Sequence, residues 1–193
     1  MSNLHHRRSV RLPGHDYSQP GAYFVTICID DRRCLCGEIT SGEVVLSNVG
    51  KIVNAKWCVL PQAFPHVMLD AFVVMPNHLH GIVIITDDDG HAVHGRGLIN
   101  QTPTTTATAN PTDDADTWIM MKNRRGTLGK IIRHFKAKTA KYIHDSGMRQ
   151  FAWQRNYHEH IIRDQPSMNR FRDYIRSNPA YWAIDHENPM KNP

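Results

Sequence analysis

VMLDAFVVMPNHLHGIVII, residues 67 to 85, decides how this chain is read. It is two apolar runs joined through Met75-Pro76-Asn77. Pro76 has no N–H to give to a ladder, so a turn or bulge belongs at the junction. The second run, His78 to Ile85, is short and β-branched, which predicts a central strand. In a strand His78 and His80 share a face, about 6.5 Å apart by the strand rise. A central strand wants apolar residues on both faces, so two imidazoles there are costly unless something uses them. The spacing lets both rings converge on one metal ion; two hydrogen-bonded core histidines are the alternative.

Working outward, Tyr23 to Ile29 is rich in β-branched and aromatic residues and predicts a strand. Gly37 to Ser47 alternates around Ser41-Gly42, the pattern of a hairpin. Val49, Ile52, Val53, Trp57 and Leu60 recur at helical spacing, so a helix runs from Asn48 to about Leu60, ended by Pro61 and Pro65. Downstream, residues 86 to 126 open on Asp87-Asp88-Asp89-Gly90 and contain a Thr, Ala and Pro tract. That low complexity predicts a mobile insertion. Helical spacing resumes from Thr127 to Ile143, with Leu128, Ile131, Ile132, Phe135 and Tyr142 on one side. Phe151 to Ile162 reads as a strand and Asp164 to Pro166 as a turn. Met168 to Ser177 reads as a helix capped by Ser167 and checked at Asn178-Pro179, with a short last turn carrying Tyr181 and Trp182. The expected organisation is a basic arm at 1–20, one domain at 21–183 interrupted at 86–126, and a tail at 184–193.

With 193 residues and 40% hydrophobic content, such a chain builds its own core without disulfides or metal. Cys28, Cys34, Cys36 and Cys58 form no CxxC pair, and the first residues are charged without an apolar stretch. Both suggest reduced thiols in a cytoplasmic protein. No apolar run is long enough to predict a membrane span.

The net charge of +5 suits a polyanion, but its distribution says more. Residues 122 to 141 hold eight Lys and Arg and no acid. Lys130, Arg133, Lys136, Lys138 and Lys141 are therefore candidates for phosphate contact, as are Arg7, Arg8 and Arg11 in the arm and Arg155 and Arg163 further on. Trp153 and Tyr157 could stack unpaired bases, although core packing is the more ordinary use of Trp153.

Two further groups could do chemistry. Tyr174 and Asn178 share a helix face at i, i+4, placing a phenol beside a carboxamide; most tyrosines at such spacing are packing residues. His158-Glu159-His160 repeats the i, i+2 spacing, but Arg155 and Arg163 flank it, so it reads as a polar strand. Asp70 is the one nearby carboxylate that could serve a water-using metallohydrolase.

Taken together, Met75-Pro-Asn-His-Leu-His80, Trp153-Gln154, His158-Glu-His-Ile-Ile-Arg163 and Tyr174-Ile-Arg-Ser-Asn-Pro179, with Tyr23-Phe-Val-Thr26 before them, resemble REP-associated tyrosine transposases, a one-tyrosine HUH family of the IS200-like kind. The likeness runs from about residue 8 to 183, the insertion excepted. It implies an α+β, ferredoxin-like antiparallel sheet with helices on one side. It also implies that His78, His80 and Asn178 hold Mg²⁺ or Mn²⁺ and that Tyr174 is the nucleophile. Related enzymes cut single-stranded DNA beside a hairpin, leaving a 5′-phosphotyrosine and a free 3′-OH, and work as monomers or homodimers. A domesticated hairpin-binding protein without catalysis is the alternative.

Two His and one Asn are neutral, so they would leave a cation its full charge for the phosphate. A phenol with an ordinary pKa near 10 needs help to attack; Arg172, Arg176 or the metal are the expected helpers.

Overall fold

The computed structural model describes residues 14 to 86 and 127 to 191. Arg7, Arg8, Arg11 and the low-complexity stretch from Asp87 onward lie outside the described residues.

Four strands form the main sheet: β1 (Gly21–Cys28), β4 (Val67–Val74), β5 (His78–Ile85) and β6 (His158–Ile162). A hairpin of β2 (Gly37–Thr40) and β3 (Glu43–Leu46) precedes helix α1 (Asn48–Cys58) and the single turn α2 (Leu60–Ala63). Helix α3 (Leu128–Asp145) connects β5 to β6, and α4 (Gln165–Ser177) follows β6, running into a 3-10 helix at Asn178–Ile184. The sheet order is β4-β5-β1-β6 and every pair is antiparallel. With α1 joining β1 to β4 and α3 joining β5 to β6, this is the ferredoxin-like arrangement that the sequence led us to expect. β5 lies between two partners, in register Cys28↔His78 and Thr26↔His80 on the β1 side.

Every residue of β5 is buried, so both faces of the sheet must be covered. Tyr23, Val25, Ile27, Leu79, Val83 and Ile85 face one core with Val53 and Trp57 of α1 and Ile131, Ile132 and Phe135 of α3. Ala22, Ile82, Ile84 and Ile162 face a second core with Met168 and Ile175 of α4. The expected helical layer is thus α1 with α3, and α4 is added on the opposite face. Helices on one side alone would leave the alternate side chains of β1 and β5 in water. Each such aliphatic side chain is worth ~1.5–3 kcal/mol when buried.

Several boundaries differ from expectation, each for a local reason. α4 starts three residues earlier than predicted, because Asp164, not Ser167, is the N-cap: its carboxylate accepts from Ser167 N at 2.7 Å. Pro166 then sits in the first turn, where its missing N–H costs nothing. Pro61 likewise opens α2 rather than ending α1, which closes at Cys58. Of the strand predicted from Phe151, only His158–Ile162 pairs continuously; Trp153 makes a single bridge to Ile29. Between them the Gln154 and Asn156 carbonyls take the Lys136 ammonium, each at 2.7 Å, instead of a neighbouring strand. All four cysteines are unbridged. Among the described residues no helix is long and apolar enough to cross a membrane.

Gly81 separates His80 from the apolar half of β5, and a Cβ there would sit 2.5 Å from Trp57 Cζ2. Trp57 is fully buried and has little room to yield. Gly81→Ala is therefore expected to destabilise by ~1–3 kcal/mol through overpacking, read as a lowered Tm by calorimetry; an unchanged Tm would contradict this packing.

Candidate functional site

The site is built on the turn between β4 and β5. Met75 N donates to His78 O at 2.8 Å and closes it, and Ile29 N donates to Asn77 O at 2.8 Å. Asn77 is buried, and its amide nitrogen donates to Glu187 O at 2.7 Å and Arg32 O at 3.1 Å. Those two carbonyls fix which end of the amide faces His78: the oxygen, 2.8 Å from His78 Nδ1. His78 must then donate from Nδ1, which leaves Nε2 with a bare lone pair. Asp31 and Arg32, at φ 55 and 51, are consecutive non-glycine residues in the left-handed region. That costs on the order of 1–3 kcal/mol each, and the turn they make delivers the Arg32 carbonyl to Asn77.

His80 lies on the same face of β5, its Nε2 2.9 Å from that of His78. Its Nδ1 meets Thr26 Oγ1 at 2.8 Å, from the residue paired with it across β1. Phe24 stacks on the His80 ring at 5.3 Å. Both imidazoles are buried. Burial, with Arg32 adding to it, pushes His78 down to about 3. Burial and the neighbouring His78 hold His80 well below its ordinary value. Both are neutral at ordinary pH, the form in which imidazole is a ligand.

α4 brings the phenol. Phe171 stacks on Phe24 at 4.6 Å, and one turn later Tyr174 OH stands 3.4 Å from His80 Nε2. The Tyr174 side of α4 is open, with the residue 44% exposed. Burial of the hydroxyl and the nearby Asp185 carboxylate raise its pKa, opposed by a hydrogen bond with Asn178. Neither expected arginine is placed to lower it. Arg172 makes two hydrogen bonds to Asp70, at 2.8 and 2.6 Å, and Arg176 pairs with Asp173 at 3.3 Å. The same bonds occupy Asp70, so it is no free base for a water nucleophile.

Asn178 keeps α-helical dihedrals despite the proline after it, and the chain continues as a 3-10 turn with Pro179 near its start. Its side chain is therefore held on the Tyr174 face and is buried. The amide nitrogen donates to Asp185 Oδ2 at 3.0 Å, while Oδ1 is buried with no hydrogen-bond partner. Asp185 was not foreseen. Its carboxylate lies within 4.8 Å of the ligand nitrogens of His78 and His80, and the three could hold a metal ion. A carboxylate thus stands beside the neutral donors that the resemblance implied. No spacing rule reaches Asp185, because the 3-10 turn shifts the helical phase after Asn178.

The basic residues fall elsewhere. α3 packs on the face opposite the histidines, so its row of cations does not line the His–Tyr site. Lys136 is an internal strut: burial lowers its pKa to about 8, and its ammonium takes two backbone carbonyls. Lys141 pairs with Asp145 at 2.9 Å. Lys130, Arg133, Arg155 and Arg163 are exposed and Lys138 is half-buried. His158 and His160 are exposed on β6, with the His160 ring against Phe171, and they do not join the buried pair. Trp153 packs on Phe135 and Phe151.

The Asp70–Arg172 pair ties α4 to β4 where the β4–β5 register shifts. Burial opposes the Asp70 charge, but the hydrogen bonds from Arg172 prevail and its carboxyl ends below the ordinary value. A depressed carboxyl contributes stability above about pH 3.9, lost as pH falls through its folded value. Asp70→Asn should therefore cost ~1–3 kcal/mol at neutral pH. The Tm difference from wild type should shrink below pH 4, and a pH-independent difference would contradict the charge pairing.

No protein-family model matches the chain. An uncharacterized protein of Haemophilus influenzae is 38% identical over 184 residues, covering 95% of this chain and 94% of that one. A second Haemophilus influenzae protein, named as a REP-associated tyrosine transposase, is 25% identical over 168 residues, covering 86% of this chain and 73% of that one. Among solved structures, a REP-associated tyrosine transposase bound to a REP hairpin is 19% identical with a TM-score of 0.48, over 88% of this chain and 72% of that one. A Deinococcus radiodurans protein named as a transposase is 10% identical with a TM-score of 0.42, over 86% and 95%. The fold assignment rests on the strand order and pairing given above. By the near full-length match the chain belongs to one family with the first Haemophilus protein, and its resemblance is to the REP-associated tyrosine transposases.

Proposed function

We propose that the chain is a metal-dependent, transposase-like enzyme that cuts and rejoins single-stranded DNA beside hairpins through Tyr174. The observation that carries this reading is the meeting of Tyr174 OH, at 3.4 Å from His80 Nε2, with two buried imidazoles whose Nε2 atoms converge at 2.9 Å. Residues 94 positions apart in the chain converge there.

The donors fit a divalent cation. His78 Nε2 offers a lone pair, directed in this structure at His80 Nε2, and Asn178 Oδ1 is a buried acceptor without a hydrogen-bond partner. Two nitrogens 2.9 Å apart match neighbouring corners of an octahedron, ~3 Å for bonds of 2.0–2.1 Å at right angles. The spacing admits a divalent cation, and the oxygen donors beside it favour Mg²⁺ or Mn²⁺, with His78, His80 and Asn178 as ligands and Asp185 as a fourth donor or as the group orienting Asn178. When bound, such an ion supplies Lewis-acid stabilisation of the anionic phosphate.

The remaining work belongs to the chain. Asn77 holds His78 in one tautomer, and Thr26 fixes the orientation of the His80 ring. Phe24, itself stacked on Phe171, meets the phenol ring edge-on at 5.9 Å and flanks it against His80. The Tyr174 oxygen attacks phosphorus and passes its proton to solvent water, which reaches the half-exposed phenol; the P–O3′ bond breaks and the 3′ oxygen takes a proton from solvent. The phosphotyrosine conserves the bond energy, so a 3′-OH can reverse the step without ATP. Burial and the Asp185 carboxylate raise the pKa of the phenol from its ordinary value.

The substrate class, hairpin-bearing single-stranded DNA, follows the motif resemblance and the named Haemophilus relative. Arg155 and Arg163 are exposed cations for the strand; phosphates gripped by Lys130 or Arg133 would lie across the sheet from the chemistry. The test is incubation with labelled single-stranded hairpins and Mn²⁺, read on a denaturing gel. Wild type should form a protein–DNA adduct. Tyr174→Phe should lose it completely while binding stays within about twofold, and His78→Ala should reduce it by at least 10–100-fold. Hairpin binding with no adduct from wild type would mark a binding protein without catalysis. A free 5′-phosphate without adduct would mark a hydrolase.

A further inference from the structure

The proposed reaction leaves one surface unused. Six large apolar side chains are exposed among the described residues, and three of them, Tyr174, Tyr181 and Ile184, fall within eleven consecutive positions. Tyr181 is 60% exposed and Ile184 65% exposed, more than Tyr174 itself. Both lie on the 3-10 turn that begins with Asn178.

That turn is held on several sides. Asn178 is anchored in the site, and the hairpin tip at Gly42 lies against Ala180. The Trp182 ring stands 6.0 Å from His78. The Trp182 carbonyl accepts from Asn188 Nδ2 at 3.0 Å, and Lys191 Nζ donates to the Ile184 carbonyl. Tyr181 and Ile184 are therefore displayed on a fixed ledge, and apolar groups ordered in advance are a sign of a binding surface. Charges of both signs border it: the Lys191 ammonium at Ile184, the Arg32 guanidinium between His186 O and the Glu187 carboxylate, each at 3.4 Å, Arg176 paired with Asp173, and the Asp185 carboxylate.

An exposed, pre-ordered aromatic ring on a ledge with the Lys191 ammonium at its border, beside a phenol proposed to attack a phosphate, suits the stacking of an unpaired base. We infer that Tyr181 stacks an unpaired base of the DNA strand next to the cleaved phosphate, with Ile184 bounding the base. The rise from Tyr174 to Tyr181 is roughly 12 Å, so that base lies close along the strand to the phosphate at the phenol. This rests on the proposed reading for the identity of the strand, not for the existence of the ledge.

The test is fluorescence anisotropy of a fluorescein-labelled 20-nucleotide oligothymidylate with the full chain in metal-free buffer, where no cleavage competes. Tyr181→Ala should weaken binding roughly 5- to 150-fold, the range of one base–aromatic stack. Tyr181→Phe should stay within about twofold, and the salt slope should be the same for all three proteins because no phosphate contact is lost. With an abasic strand of equal length, wild type and Tyr181→Ala should bind alike. Equal affinity of Tyr181→Ala for oligothymidylate overturns the inference, as does a loss of the same size on the abasic strand. A wild-type dimer that Tyr181→Ala dissociates also overturns it, since the ledge would then belong to a second copy. If adducts form but Tyr181→Ala binds normally, the ledge fails alone. If the ledge binds but no adduct ever forms, it is the cleavage reading that fails.

Discussion

Everything at the site depends on the orientation of one carboxamide. Asn77 gives its two N–H groups to the carbonyls of Arg32 and Glu187, which leaves its oxygen for His78 Nδ1. From that follow the tautomer of His78, the direction of its lone pair and the 2.9 Å meeting with His80. The carbonyls that orient Asn77 come from remote parts of the chain: a strained turn after β1 and the segment just after the 3-10 helix at Asn178–Ile184. The buried pair is therefore a tertiary feature, although its two rings are almost adjacent in sequence.

The second requirement is a helix on the histidine face of the sheet. α1 and α3 make the larger core on the other face, and that layer alone would satisfy a ferredoxin-like domain. α4 covers the histidine face with few buried apolar residues, Met168 and Ile175, helped by the Phe24–Phe171 stack. The Arg172–Asp70 pair supplies the specific tie. It also settles a question of roles, because an arginine committed to Asp70 cannot activate Tyr174, and an aspartate committed to Arg172 cannot activate water. What is left beside the phenol is the Asn178 carboxamide and the Asp185 carboxylate.

Local patterns were legible in the sequence. Period-two spacing put His78 and His80 on one face, Pro76 marked the turn, and the i, i+4 spacing put Tyr174 beside Asn178. The strand order followed from the motif resemblance and not from any residue pattern. What stayed hidden was set by packing between distant elements. Thr26 is an ordinary strand residue until the β1–β5 register places it opposite His80. Asp185 follows a 3-10 turn whose phase no helical rule predicts, in a stretch that reads as a tail. Lys136 looks like its basic neighbours until its ammonium is found under two loop carbonyls. The basic face of α3 could be read from composition; the side of the sheet on which it would lie could not.

The central claim is that His78, His80 and Asn178 form a cation site within reach of the Tyr174 hydroxyl. Crystals soaked in Mn²⁺ and measured at the manganese absorption edge test it most directly. The account predicts one anomalous peak about 2.0–2.3 Å from both Nε2 atoms and from Asn178 Oδ1, lost in His78→Gln. No peak at saturating Mn²⁺, or a peak at other residues with the two imidazoles still bonded to each other, would contradict it.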